Sequence, residues 1–165
     1  MSYIGRSVAL AIGLVACASV AQAQRYRVEL AVPDGKVAVA EFRPCIPAEG
    51  SDCGAWVDHT NESGNRVLGL AMRAVSPNGH DSVTVEDGKI RIKSLVGRKP
   101  PVILLRVGKG AARGIAMSPD SKYAFVVVEN ATGNPFDVMM IDLDTQSGIA
   151  GLVMESRVLG IGMVP

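Results

Sequence analysis

Arg113-Gly114-Ile115-Ala116-Met117-Ser118-Pro119-Asp120-Ser121-Lys122-Tyr123-Ala124-Phe125-Val126 sets a short apolar segment, a Ser-Pro turn and an aromatic, β-branched run in fixed order. Its first part recurs as Leu68-Gly69-Leu70-Ala71-Met72 and Leu159-Gly160-Ile161-Gly162-Met163, with glycines 45 and 46 residues apart. Its turn recurs as Val32-Pro33-Asp34-Gly35-Lys36, Ser76-Pro77-Asn78-Gly79-His80 and the closing Met163-Val164-Pro165, so that the prolines stand 44, 42 and 46 residues apart. A period of about 44 residues is the length of one four-stranded propeller blade.

Around these anchors lie short strands. Val37-Ala38-Val39-Ala40 and Tyr123 to Val128 follow the proline turns. Further on, Trp56-Val57-Asp58-His59 stands at the station of Met140-Ile141-Asp142-Leu143, with Ile90-Arg91-Ile92-Lys93 between them in the middle copy. Such runs, bounded by Pro-Asp-Gly, Asp-Gly and Ser-Gly turns, predict antiparallel all-β structure. Beyond residue 24 no apolar period of 3.6 residues lasts long enough for an ordinary helix. The expected fold is all-β, with antiparallel four-stranded blades in about three repeats near 25–76, 77–118 and 119–165.

Residues 113–126, followed by Val138-Met139-Met140-Ile141-Asp142-Leu143-Asp144-Thr145, resemble a YVTN-type β-propeller repeat. Asn134-Pro135-Phe136-Asp137-Val138 is similar to the TolB-type repeat. The resemblance is strongest over 98–165 and weakest over 25–65. It implies a blade and leaves function open, since one fold carries many activities.

The first 23 residues read as a secretory signal peptide. Arg6 precedes an apolar stretch, and Ala21-Gln22-Ala23 supplies small residues for cleavage between Ala23 and Gln24. Leu14-Val15-Ala16-Cys17 is similar to a lipobox, which would instead make Cys17 a lipid anchor. Either route predicts export to the periplasm, the extracellular space or a membrane-anchored state, with no transmembrane span. Arg6 is the leader's one charged residue, so residues 24–165 carry equal numbers of acidic and basic groups. That balance offers no electrostatic footprint for nucleic acid. Arg91, Lys93, Arg98 and Lys99 read as the solvated face of a strand and its loop. Cys45 and Cys53 form an even pair suited to a structural disulfide in an oxidising compartment. Such a bond would contribute about 2–3 kcal/mol.

Chemistry-bearing patterns are few. Gly108-Lys109-Gly110-Ala111-Ala112-Arg113-Gly114 has glycines suited to a phosphate cradle, but a strand follows it and not a helix. Asp142-Leu143-Asp144-Thr145-Gln146-Ser147-Gly148 lacks the sixth-position glycine and the closing glutamate of a calcium loop. His80 belongs to a polar turn, and no Gly-x-Ser-x-Gly elbow accompanies either histidine. The candidate ligand contacts are Trp56, Asp58, His59 and Arg113, with no catalytic, metal or cofactor residue assigned. The expected role is non-enzymatic binding or assembly in the cell envelope, through an envelope protein or self-association. The alternatives are a lactonase-like or other hydrolase propeller active only when assembled, and a fragment of a longer propeller. Three repeat lengths fall short of the four to eight blades of closed rings. The expectation is therefore an open arc, an incomplete ring or a ring completed by a second chain, with Leu159–Met163 pairing across the junction.

Overall fold

The computed structural model describes residues 24–44, 54–62, 68–97, 103–105, 110–131 and 136–164, and among them twelve strands form three antiparallel four-stranded sheets. The strands are β1 (Tyr26–Val32), β2 (Lys36–Arg43), β3 (Gly54–Glu62), β4 (Arg73–Val75), β5 (Asp81–Glu86) and β6 (Lys89–Ser94). They continue as β7 (Ile103–Leu105), β8 (Ala111–Met117), β9 (Tyr123–Glu129), β10 (Phe136–Asp142), β11 (Ser147–Met154) and β12 (Gly160–Met163). β4 to β7 make a second blade and β8 to β11 a third, each in chain order. The first blade runs β12-β1-β2-β3 and so draws its strands from both ends of the chain. The one helical element among the described residues is a single 3-10 turn, Pro33–Gly35. The expected signal peptide, Cys17, Cys45 and Cys53 lie outside the described residues.

That first blade corrects two expectations. Pro77 and Pro119 join the first strand of a blade to its second, whereas Pro33-Asp34-Gly35 joins β1 to β2, the second and third strands. Its counterpart is the Asp87-Gly88 hairpin between β5 and β6, and in both hairpins Asp and Gly take positive φ. Two such residues give the backbone twist a tight antiparallel hairpin needs. Trp56 and its neighbours therefore lie on an outermost fourth strand, not at the station of Met140 or Ile92 on third strands. The second correction concerns Leu159–Met163. Leu30 stands opposite Ile161 and Val28 opposite Met163, so this segment pairs with β1 of its own chain. It is therefore taken and does not pair across a junction with a second chain.

The three blades stack with the third in the middle. On β9, Tyr123, Phe125 and Val127 pack toward the first blade, against Val28, Leu30 and Phe42. Ala124, Val126 and Val128 point the other way, onto Val83, Val85, Ile90 and Ile92 of the second blade. A strand covered on both faces needs an uninterrupted apolar run, which Tyr-Ala-Phe-Val-Val-Val supplies. Strands covered on one face alternate. β6 buries Ile90 and Ile92 while Lys89, Arg91 and Lys93 face away, and Arg91 pairs with Glu86 at 2.8 Å. The strand-face reading of Arg91 and Lys93 is what the fold displays, while Arg98 and Lys99 lie outside the described residues. Edge-on ring contacts (Tyr26 with Tyr123 at 4.9 Å, Phe42 with Phe125 at 5.1 Å) tie the first blade to the third. Such pairs add about 0.5–1.5 kcal/mol each beyond the area they bury.

The repeated glycine segment marks where the inner strands meet. Residues 68–72 run between β8 and β12, with the Ile115 N–H donating to the Ala71 carbonyl at 2.9 Å and the Ile161 N–H to the Gly69 carbonyl at 3.1 Å. A Cβ on Gly114 would lie 2.6 Å from the Leu70 side chain, and one on Gly160 would strike the Leu68 carbonyl. The third copy, Gly69, has open space at the same position. Leu68 cannot yield as a flexible side chain would, because the obstacle is its backbone. Gly160→Ala should accordingly lower stability by about 2 kcal/mol, as other overpacked sites do. Gly69→Ala should change it by less than about 0.5 kcal/mol. Urea denaturation midpoints of the two variants check this, and equal shifts would contradict the convergence of the inner strands.

Candidate functional site

β3 carries three of the expected contact residues onto one surface, the side of the first blade turned away from the third. Trp56 stands opposite Glu41, and His59 opposite Val39. A register shift between Val39 and Ala40 leaves Asp58 without a partner on β2, so it bulges beside His59. Arg27, from β1, reaches Asp58 at 2.6 Å, and His59 Nδ1 lies 2.9 Å from the same carboxylate oxygen. His59 first, and then Arg27, hold the Asp58 carboxyl below its ordinary value by hydrogen bonding. Beside them Arg43 lies over the Trp56 ring, 4.7 Å from its centroid, and binds Glu41 at 2.9 Å. Arg25 approaches Glu41 at 3.7 Å, so this 8% exposed carboxylate is held between two guanidinium groups. The face is thus a mixed-charge patch around one indole. Arg113 does not belong to it. Arg113 sits on β8 of the third blade, where the β8–β9 register shifts, and pairs with Glu129.

A second polar region lies on the rim, where the proline turns gather. Each Ser-Pro turn is built alike. Ser76 Oγ donates to Asn78 at 2.7 Å and accepts from the Asp81 N–H at 2.9 Å. Ser118 Oγ donates to Asp120 at 2.6 Å and accepts from the Tyr123 N–H at 2.9 Å. The turns then bond onward to the next blade. The Asn78 N–H donates to Ser121 Oγ at 3.0 Å, linking the second blade to the third. Tyr26 Oη and Gln24 Nε2 donate to Asp120 at 2.7 and 2.9 Å, linking the first blade to the third. Burial pushes the Asp120 carboxyl up, but hydrogen bonds from Ser118, Tyr26, the Lys122 N–H and Gln24 together outweigh it and hold the group below its ordinary value. Burial, and then Asp120, push the Tyr26 phenol far above its ordinary value, so it remains a donor at neutral pH.

Between the turns of the second and third blades a cleft of about 440 Å³ opens. Asp81, Asp120, Asp142 and Asp144 line it together with His80 and Lys122. Asp142 belongs to the turn read above against a calcium loop. Its Oδ1 accepts from the N–H groups of Asp144 and Thr145 at 2.7 and 2.9 Å, as an Asx turn does. Among the described residues, no three His, Cys, Asp or Glu side chains gather to hold a metal ion. Of the glycine loop, Gly108 and Lys109 lie outside the described residues. Gly110 to Gly114 lead from the second blade into the third as a connection and inner strand. Sequence reasoning missed this cleft, because it needs turns from two blades. One local signal points to it: Asp81 occupies the station that Tyr123 fills in the next repeat.

No protein-family model matches the chain, and no curated protein matches it significantly. Among solved structures, it is similar to dihydro-heme d1 dehydrogenase NirN in complex with DHE at 16% identity and a TM-score of 0.38, covering 81% of this chain and 24% of that one. It is also similar to Kuenenia stuttgartiensis hydrazine synthase at 17% identity and a TM-score of 0.38, covering 80% of this chain and 36% of that one. A functionally unknown protein from Desulfotomaculum acetoxidans DSM 771 matches at 11% identity and a TM-score of 0.38, over 79% of this chain and 37% of that one. The chain thus spans well under half the length of each. Likeness this distant carries no argument about activity, and the blade assignment rests on the strand pairing within this chain.

The Asp120 contacts have a pH signature. A carboxyl whose pKa is lower folded than unfolded stabilises the fold above its unfolded pKa, and that contribution disappears as pH falls through the folded pKa. Tyr26→Phe removes one donor to Asp120 and should cost about 1 kcal/mol at pH 7. The gap from wild type should close as acid protonates Asp120, below its ordinary value of 3.8. Urea midpoints across pH 2–7 check this, and a gap constant over that range would contradict the assignment.

Proposed function

We propose that the protein is an exported, non-enzymatic binding module of the cell envelope, and that it engages a partner protein through the outward face of the first blade. The observation carrying this reading is the gathering of Trp56, Asp58 and His59 with Arg27 and Arg43 on one sheet surface. Tryptophan and arginine dominate the energetics of protein interfaces, because each offers a large contact area with a few directed polar groups. Here the indole is already held by Arg43, so little side-chain freedom is left to lose on binding. Balanced charge on the same face favours a partner with its own mixed charges over nucleic acid. Export rests on the leader and on cleavage between Ala23 and Gln24, with lipidation at Cys17 as the other route. No helix among the described residues is long and apolar enough to cross a membrane.

The two other readings have their own signatures. A stoichiometric divalent ion recovered with an assembled oligomer would favour the lactonase-like enzyme. A purified chain that only aggregates would favour a piece of a longer propeller.

The direct test is a photo-cross-linking residue at position 59 in the full chain, expressed in an exporting bacterium. We expect a discrete adduct with one envelope protein, reduced at least tenfold when Trp56→Ala and Arg43→Ala are added. The intact mass of the exported form should begin at Gln24, or carry lipid on Cys17. Exported protein that gives no adduct, or an adduct indifferent to the two substitutions, would overturn the reading.

A further inference from the structure

The rim cleft holds a carboxylate that the fold itself leaves unanswered. Asp81 is 7% exposed, opens β5 and lies on the face that carries Val83 and Val85 toward the third blade. Its backbone is fully used, the N–H by Ser76 Oγ and the carbonyl by the Ser76 N–H. Its side chain has no hydrogen-bond or ion-pair partner among the described residues, yet it lines the 440 Å³ cleft.

The next repeat shows what the same station does otherwise. Tyr123, whose N–H meets its turn serine just as that of Asp81 does, packs its ring against Tyr26, and the pocket at the rim between the third and first blades is smaller, about 180 Å³. With aspartate in place of that ring, the rim between the second and third blades stays open. The volume is that of a small-molecule site.

We infer that this cleft binds a small organic cation bearing primary or secondary ammonium groups, a short diamine or polyamine, with Asp81 as its direct partner. The other carboxylates decide the class. Asp120 is filled by hydrogen bonds from Ser118, Tyr26, Gln24 and the Lys122 N–H, and Asp142 Oδ1 by its own turn. They act as fixed negative charge around the cleft, not as inner ligands, whereas a metal ion needs several free oxygens at one point. A quaternary ammonium would call for several aromatic faces, and the one aromatic residue in the lining, Tyr123, has its ring packed against Tyr26. N–H donors directed at one free carboxylate, with a second positive charge toward Asp142, match what the cleft offers. Lys122 lines the same cleft and opposes the ligand by like charge.

Isothermal titration of the full-length exported protein with spermidine tests this inference apart from the partner-binding reading, since it involves no residue of the first blade's outer face. We expect one saturable site, weakened by salt. Asp81→Asn should weaken it at least tenfold without lowering thermal stability, and Lys122→Met should tighten it severalfold. Three results would each overturn the inference: no saturable binding, equal affinity in Asp81→Asn, or saturable calcium binding with none of spermidine. Should Asp81→Asn fail to fold, an unchanged affinity in Lys122→Met would overturn it as well.

Discussion

The pairing of β12 with β1 is the constraint on which the remaining architecture depends. It puts the two ends of the chain in one sheet and gives the first blade the inner strand that β1 to β3 lack. With β12 in place, Gly160 meets the Leu68 backbone and Ile161 bonds to Gly69, so the inner segments of all three blades touch. The same closure brings Gln24 and Tyr26 under the Asp120 turn. Loop closure over a whole chain is entropically unfavourable, and only long-range contacts made together can offset it. Here those contacts are a covered β1, two tyrosines packed edge to face and one carboxylate shared between blades.

Much of this was legible because it is local. Ser-Pro-Asx turns fix their own hydrogen bonds within five residues, and they do so identically at Ser76 and Ser118. Alternation in Lys-Ile-Arg-Ile-Lys against the unbroken Tyr-Ala-Phe-Val-Val-Val run distinguishes a blade covered once from a blade covered twice. What misled was Pro33-Asp34-Gly35. Its turn chemistry suits a hairpin between any two strands, so matching it to Pro77 moved the first copy by one strand. Only the partner of β12 corrects that offset, and a strand's partner is not written in its own residues.

The candidate site divides along the same line. Trp56, Asp58 and His59 are neighbours in sequence, and their grouping was visible there. Arg27 and Arg43, which make the patch electrostatically coherent, arrive from β1 and β2 through pairing. Arg113, expected among the ligand contacts, lies on another blade, paired with Glu129. The rim cleft was hidden more deeply, since turns of two blades and the first residue of β5 enclose it. The two regions differ in kind. The blade face is a shallow, self-paired surface, whereas the cleft is concave and acidic, and among the described residues its Asp81 side chain has no hydrogen-bond or ion-pair partner.

The central claim, that β12 completes the first blade of its own chain, has a direct measurement. Glu29 and Gly162 are Cα partners in the β1–β12 register. Directly opposed residues of an antiparallel pair have the separation a disulfide spans. Glu29→Cys with Gly162→Cys, oxidised at low concentration and digested, should yield one peptide linking positions 29 and 162 within a monomer. A cross-link found only between two chains, or none under conditions that oxidise free thiols, would contradict the closure.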